Sequence, residues 1–291
     1  MSARTKPVEL PKSTPKLTPA ETEKLAKQQE EARKRSYLNL RFMPDSVTAM
    51  LTVNGLEYGD EEFYEQAFGQ IEQKKTKNLI LDIRRNHGGD VRIINKLLSY
   101  LADSSYVLLQ KVVAKVADPG KNRFAVHFDP DRTQSYFGTF GPSRRVGVWY
   151  EFNFSPAMGQ VTGYQPVANR YRFRGNVYTL IDGGTFSNGS NFAAALKTWC
   201  QSAVFIGRET GGTELGCGGG TNNKLTLPNS NLVIQFPWMR LVSASRNPVD
   251  GYGLMPDYPV TYAPQAVAEH RDLDLAKSLE LIRGLQPMNE K

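Results

Sequence analysis

The pattern of apolar and polar residues predicts alternating strands and helices. Short apolar runs at 78–83, 176–182 and 203–207 are typical of strands that are covered on both faces. A glycine-containing turn follows each of the first two runs, and apolar residues then recur at helical spacing over 91–102 and from about residue 187 onward. This order of elements predicts a layered α/β fold.

The remaining elements are placed by the same criteria. Alternating apolar residues predict strands at 38–42, 48–53 and 106–116, and a hairpin of 224–227 with 232–235 around a Pro-Asn-Ser-Asn turn. Amphipathic spacing predicts helices over 61–74 and 273–285. Residues 1–36 are Pro- and Lys-rich, then strongly helix-forming without an apolar face. They are therefore expected to be an extended tail and a solvated helix, followed by one core domain over 37–291. The Pro-, Gly- and Arg-rich interval at about 117–172 is expected to be an insertion or lid.

Composition excludes several function classes. The net charge is +7, but residues 1–36 hold nine Lys and Arg against five Asp and Glu, so more than half of the excess lies there. No nucleic-acid partner is predicted from such a spread of charge, and no apolar run is long enough for a membrane span. No signal peptide is visible, and the oligomeric state is left open. Two cysteines and three separated histidines form no metal-binding motif, so neither a metal nor a cofactor is expected.

A serine lies at one of the predicted corners between a strand and a helix. Ser187 follows the strand at 176–182 and starts the next helix, where backbone N–H groups point into open space. Such a residue can be a helix N-cap, which is its commonest role. It can also be a nucleophile whose oxyanion is bound by those N–H groups. A second stretch, LILDIRRNHGG at 79–89, favours the nucleophile over the N-cap interpretation.

Five motifs in order carry a resemblance to a known family. They are LILDIRRNHGG at 79–89, TFSNGSNFAAALK at 185–197, FIGRETGGTELGCGGG at 205–220, LTLPNS at 225–230 and DGYGLMPDYPV at 250–260. Together they resemble the core of the S41 (tail-specific) serine peptidases, above all the branch related to tricorn core protease. The resemblance implies a ClpP/crotonase-like α/β fold with a layered ββα core and flanking helices. It also implies hydrolysis of peptide bonds in peptides or unfolded proteins, without a cofactor, in the periplasm or outside the cell.

The resemblance also assigns roles to residues. Ser187 falls at the nucleophile position. The amide of Asn188 and an amide of Gly88 or Gly89 fall where the family forms its oxyanion hole. Two N–H groups from separate loops can converge on one developing negative charge, and glycine lets the backbone approach closely. Asp82 and Arg84, by contrast, are expected to brace the glycine turn.

The general base is where the sequence departs from the family pattern. The loop at 209–213 contains no lysine, so the serine–lysine pair of the processing peptidases is not expected, and a histidine with an orienting acid takes its place. Asp250 falls where the tricorn-like branch has its glutamate. That branch carries its histidine upstream of the core, whereas residues 1–36 contain none, so His87 in the glycine turn is the candidate. His127 and His270 are expected to be surface or packing residues.

Two other functions stay open at this stage. A fold of this kind that has lost its base could be a non-catalytic module that binds a peptide or another ligand in its cleft. The chain could also be a crotonase-type acyl-CoA enzyme, which has the same kind of fold, although it has no recognisable CoA signature. Cys217, between glycines, is expected to be a cleft-lining or surface thiol rather than a reactive one.

Overall fold

The computed structural model describes Thr18 and residues 37–57, 59–118, 121, 123–131, 138–159, 161–165 and 170–285. The predicted tail and solvated helix at 1–36 therefore lie, apart from Thr18, outside the described residues. From Leu38 onward the chain forms one compact unit built on two sheets.

The first sheet holds the parallel strands that the apolar runs predict. Its strands are β1 (Leu38–Phe42), β2 (Thr48–Val53), β3 (Asn78–Asp82), β7 (Asn176–Ile181), β8 (Ala203–Gly207) and β11 (Tyr258–Pro259), in the spatial order β1-β2-β3-β7-β8-β11. β1 is antiparallel to β2, and all other neighbours are parallel. The carboxyl ends of β2, β3, β7 and β8 therefore meet along one edge of the sheet.

Helices cover both faces of this sheet. The helices are α1 (Glu61–Gln73), α2 (Val91–Ser99), α3 (Asn188–Trp199), the short α4 (Pro264–Ala268) and α5 (Leu273–Leu285). In β3, Leu79 and Leu81 join the large core that includes α1, α2 and α3, while Ile80 packs in a second cluster with Ile282 of α5. Alternate side chains of one strand thus enter opposite cores, which explains its continuous apolar run.

The second sheet is antiparallel and borders the large core. Its strands are β4 (Leu109–Ala114), β5 (Phe140–Val146), β6 (Trp149–Phe154), β9 (Gly216–Thr226) and β10 (Val233–Ser243), in the spatial order β5-β6-β4-β10-β9. Val112, Phe152 and Leu241 bring it into the same apolar cluster as the three helices. β9 lies at an edge of this sheet.

Most predicted elements are present, with some differences in extent. β7 and α3 lie where the sequence places them, and α2 ends at Ser99 rather than near residue 102. The hairpin is longer than predicted, because β9 and β10 have eleven residues each. Within the interval at 117–172, β5 and β6 are strands of the second sheet, and a lid function there stays a prediction. No helix in the described part of the chain is long and apolar enough to cross a membrane.

Candidate active site

Ser187 occupies a sharp corner between β7 and α3. Its backbone has φ 55° and ψ −129°, a positive φ that residues other than glycine rarely adopt. Such strain persists only where the surroundings enforce it, and it concentrates at functional sites. A nucleophilic serine on a strained strand-to-helix turn is a recurring arrangement in hydrolases.

Hydrogen bonds on both sides hold this corner in place. Thr185 Oγ1 donates to the carbonyl of Ile83 over 2.8 Å, and the amide of Phe186 donates to the carbonyl of Asn86 over 3.0 Å. Asp182 Oδ1 accepts from the amides of Gly184 and Arg85 at 2.9 and 3.0 Å. The corner is therefore tied to the segment that follows β3, which supplies the rigidity that the strained serine needs.

The side chain of Ser187 does not serve as a helix cap. Ser187 is the N-cap residue of α3, yet its hydroxyl makes no capping hydrogen bond to the helix amides. The half-buried side chain is oriented instead toward the glycine turn and β9. The N-cap interpretation that the sequence left open thus finds no support in the hydrogen bonding.

The turn at Gly88 and Gly89 touches Ser187 directly. A Cβ atom placed on Gly88 would lie 2.9 Å from Ser187 Cβ, 3.2 Å from Ser187 Oγ and 2.8 Å from the amide nitrogen of Asn188. Gly88 has φ 93° and Gly89 has φ 139°, so both use conformations that glycine alone adopts readily. The sequence motif at 79–89 and the serine corner, about 100 residues apart, therefore meet at van der Waals contact.

Asn86 holds the glycine turn and the serine corner together, a role that the sequence alone did not indicate. Its side chain is fully buried; Nδ2 donates to the carbonyl of Val53 over 2.8 Å, and Oδ1 accepts from the amide of Gly88 over 2.9 Å. The second bond closes an Asx turn, for which an asparagine two residues before a glycine is a recognisable signal. Its backbone carbonyl also leaves no room for a side chain at Gly189, where a Cβ would come within 2.4 Å.

Two backbone amides near the corner have no acceptor. Among the hydrogen bonds of the described residues, neither the amide of Asn188 nor that of Gly89 has a partner, whereas the Gly88 amide is engaged by Asn86. The Asn188 side chain links the same two turns, since its Nδ2 donates to the carbonyl of Gly89 over 2.6 Å. Of the two predicted glycine amides, that of Gly89 is thus available without breaking a bond.

Cys217 lies beside Ser187, a neighbour that sequence reasoning missed. Its sulfur accepts a hydrogen bond from Asn191 Nδ2 over 3.3 Å. Burial raises the pKa of this thiol, and the neighbouring Asn191 and Ser187 side chains offset only part of that effect. Cys217 forms no disulfide and is half-buried, and its role as an unreactive lining residue stays a prediction.

The predicted base and acid both lie in exposed turns. His87 is exposed in the glycine turn, with its ring 6.4 Å from that of Phe186, the residue before Ser187. Asp250 lies in an exposed turn that continues through Gly251, which has φ 82°. Lys197 is nine residues along α3 from Asn188, about 14 Å of helix, and pairs with Glu214, so it is not a base for Ser187.

The Asp82–Arg84 brace and the other two histidines are assigned no role in the candidate site. The expected salt bridge between Asp82 and Arg84 is present at 2.8 Å, and Arg84 also binds Asp272 and Asp274. His127 lies in a short 3₁₀ turn, and His270 lines a separate cavity. In the described part of the chain no group of three or more His, Cys, Asp or Glu side chains could hold a metal ion.

Comparisons with solved structures place the fold. A protein from Parabacteroides merdae assigned as a peptidase matches with a TM-score of 0.58 and 16% identity, over 84% of this chain and 64% of the other. Mature CPAF in complex with lactacystin gives a TM-score of 0.53 and 16% identity, over 80% and 51%. A protein from Bacteroides fragilis assigned as an S41 protease gives 0.51 and 15%, over 86% and 58%. The chain thus spans between about half and two thirds of these structures, and the predicted S41-like α/β fold is confirmed.

The sequence comparisons then identify the family. No curated protein sequence matches this chain. The family model for peptidase family S41 matches residues 47–260, which is more than half of the chain and includes both turns of the candidate site. At the level of the family this match supports a peptidase function. The chain belongs to peptidase family S41.

Proposed function

We propose that this protein is a serine peptidase that hydrolyses peptide bonds through an acyl-enzyme on Ser187. The observation that carries the proposal is the strained serine corner in a chain of the S41 family. The Ser187 hydroxyl makes no capping hydrogen bond and lies against the Gly88 turn. Peptides or unfolded proteins are the proposed substrates. The periplasmic or extracellular location stays a prediction from the resemblance.

The reaction follows from the position of the hydroxyl. Ser187 Oγ attacks the carbonyl carbon of the scissile bond while a base removes its proton, giving a tetrahedral oxyanion. The C–N bond then breaks, the amine leaves with the proton, and an ester to Ser187 remains. Water attacks this ester in the second half of the reaction, which releases the new carboxylate and restores the serine.

The oxyanion is proposed to lie between the two turns. The Asn188 amide is at the start of α3, where the helix dipole adds a partial positive charge. The Gly89 amide is the second donor, or the Gly88 amide if Asn86 yields its bond. Each such donor contributes roughly 3 kcal/mol to the stability of the transition state.

His87 is the candidate base and Asp250 the candidate orienting acid. His87 is the one described histidine in either turn that meets at Ser187, and its ring is exposed. Asp250 is placed by its motif, and its exposed turn would have to approach the histidine. An acid limb in the pH–rate profile of the wild type that disappears in His87→Gln supports this assignment.

A non-catalytic binding module is the second candidate, and one observation favours it. The side chain of Ser187 neighbours the thiol of Cys217, which is no base at neutral pH because burial raises its pKa. A serine in these surroundings could line a peptide-binding cleft without reacting.

Covalent labelling separates the two functions. A fluorophosphonate probe should label the wild type and leave Ser187→Ala unlabelled, and a fluorogenic peptide library should be cleaved by the wild type alone. Ser190→Ala is the matched control, because Ser190 is a buried serine of the same helix whose hydroxyl donates to Thr185. Labelling that survives in Ser187→Ala contradicts the assignment. Peptide binding without labelling or turnover favours the binding module.

A further inference from the structure

A charged cavity of about 420 Å³ lies along the same sheet edge as the serine corner. The residue that directly follows or ends each of four neighbouring strands lines it: Asn54 after β2, Asp82 at the end of β3, Asp182 after β7 and Arg208 after β8. In open α/β sheets, ligands bind outside the carboxyl ends of the strands, because loops and backbone groups converge there. The segment between α4 and α5 closes the far side of the cavity.

Two of the three carboxylates that line this cavity, Asp82 and Asp272, bind one arginine. Arg84 donates to Asp82 at 2.8 and 2.9 Å and to Asp272 at 2.8 and 2.9 Å, and it reaches the fully buried Asp274 at 3.0 Å. Asp182 Oδ1 accepts two backbone amides. Each of these acidic groups therefore already has partners within the protein.

The other three arginines that line the cavity are Arg85, Arg208 and Arg271. Arg208 comes no closer than 3.6 Å to Asp274 and 3.7 Å to Asp182, and its guanidinium lies 4.8 Å from the centre of the Tyr262 ring. Arg85 and Arg271 are exposed, and Arg271 approaches only Glu269, at 3.9 Å. Within the described residues none of these three side chains donates a hydrogen bond, although each guanidinium carries five donors.

We infer that this cavity is a binding site for an anion that carries a carboxylate or phosphate group. Arg208 is its central contact, because this side chain lines the cavity beside the Tyr262 ring and donates no hydrogen bond within the described residues. Arg271 and Arg85 also line the cavity, and guanidinium donors match planar or tetrahedral oxyanions. The inference goes beyond the peptidase proposal and does not depend on Ser187 being a nucleophile.

Thermal shift and calorimetry with two probes test the site. Inorganic phosphate and N-acetyl-dialanine, which has a free carboxylate, are titrated at constant ionic strength against chloride, and the amide of the dipeptide serves as its uncharged control. A ligand that binds only the folded state raises the melting temperature with concentration. Tighter binding of phosphate indicates a phosphate ligand, and tighter binding of the acetylated dipeptide indicates a carboxylate ligand.

Three charge-matched variants decide the outcome. Arg208→Gln and Arg271→Gln should each weaken the better probe by about tenfold, the usual effect of losing a charge-assisted hydrogen bond. Arg283→Gln, an equal charge change on the exposed surface of α5, should bind as the wild type does. The inference is overturned if neither probe binds the wild type better than chloride, or if all three variants bind alike. Because Arg271 is exposed, its variant tests the site even if Arg208→Gln folds poorly.

Discussion

The contact between Gly88 and Ser187 makes a sharp prediction about Gly88→Ala. The new methyl carbon would lie 2.8 Å from the Asn188 nitrogen and 2.9 Å from Ser187 Cβ, well inside normal contact distance, so one of the two turns must shift. A displacement approaching 1 Å between catalytic groups costs about 10²-fold in rate. Loss of an oxyanion donor costs a similar amount, which is about 2.7 kcal/mol of transition-state stabilisation.

The stability cost of this substitution can be measured separately. Alanine at φ 93° is strained by about 1–2 kcal/mol wherever it occurs. Gly59 has φ 105° and open space around its Cβ position, so Gly59→Ala carries the backbone strain without the contact. Subtracting the unfolding free energy of one variant from that of the other isolates the effect of the clash.

The assay is the rate of fluorophosphonate labelling, with kcat for a cleaved peptide as the second measurement. Gly88→Ala should label about 10²-fold more slowly than the wild type while its circular dichroism spectrum stays native. Gly59→Ala should label within about twofold of the wild type. Wild-type labelling by a folded Gly88→Ala would refute the view that the two turns form one reactive site.

Four further changes have expected outcomes. Ser187→Gly should abolish labelling yet raise the unfolding free energy by about 1 kcal/mol relative to Ser187→Ala, because glycine relieves the positive φ; equal stabilities in urea denaturation would mean that the corner is not strained. Asn86→Ala should lower the unfolding free energy by about 2–4 kcal/mol, because two buried backbone groups lose their partner; a loss below about 1 kcal/mol would contradict this. Alkylation of Cys217 by iodoacetamide should have its midpoint above the pH found for free cysteine, since burial raises the pKa of the thiol, and the alkylated protein should no longer label; labelling at the wild-type rate after alkylation would contradict the contact. Although burial opposes it, the bonds from Arg84 hold the pKa of Asp272 below its ordinary value. The stability that Asp272 contributes is therefore present above about pH 4 and is lost as the pH falls further. Asp272→Asn should reduce the fall of the unfolding free energy below about pH 4. An unchanged pH dependence in this variant would contradict the role of Asp272.

The local parts of this structure could be predicted from the sequence. β3, β7 and α3 follow from continuous apolar runs and helical spacing, because each of these patterns is set within one element. The resemblance to the S41 family, rather than any local pattern, predicted that the Gly88 turn and Ser187 belong to one site.

The parts that depend on long-range packing could not be predicted. β5 is half exposed and rich in Gly, Pro, Ser and Arg, so its strand character comes from pairing with β6 rather than from its own pattern. The position of Cys217 beside Ser187 could not be predicted, because β9 begins in a glycine-rich segment whose apolar residues show no strand period. Arg84 meets Asp272 across 188 residues, a contact that no local signal encodes. The positive φ of Ser187 is likewise imposed by its neighbours.

The central claim is that Ser187 becomes covalently acylated, and peptide mapping by mass spectrometry tests it most directly. The full chain is incubated with a cleaved peptide or an activated ester, quenched in acid and digested, so that any adduct is mapped to a residue. The account predicts a single acyl group on Ser187 in the wild type, and none on Ser187→Ala. An adduct on Cys217, or turnover of the peptide with no adduct at Ser187, would contradict it.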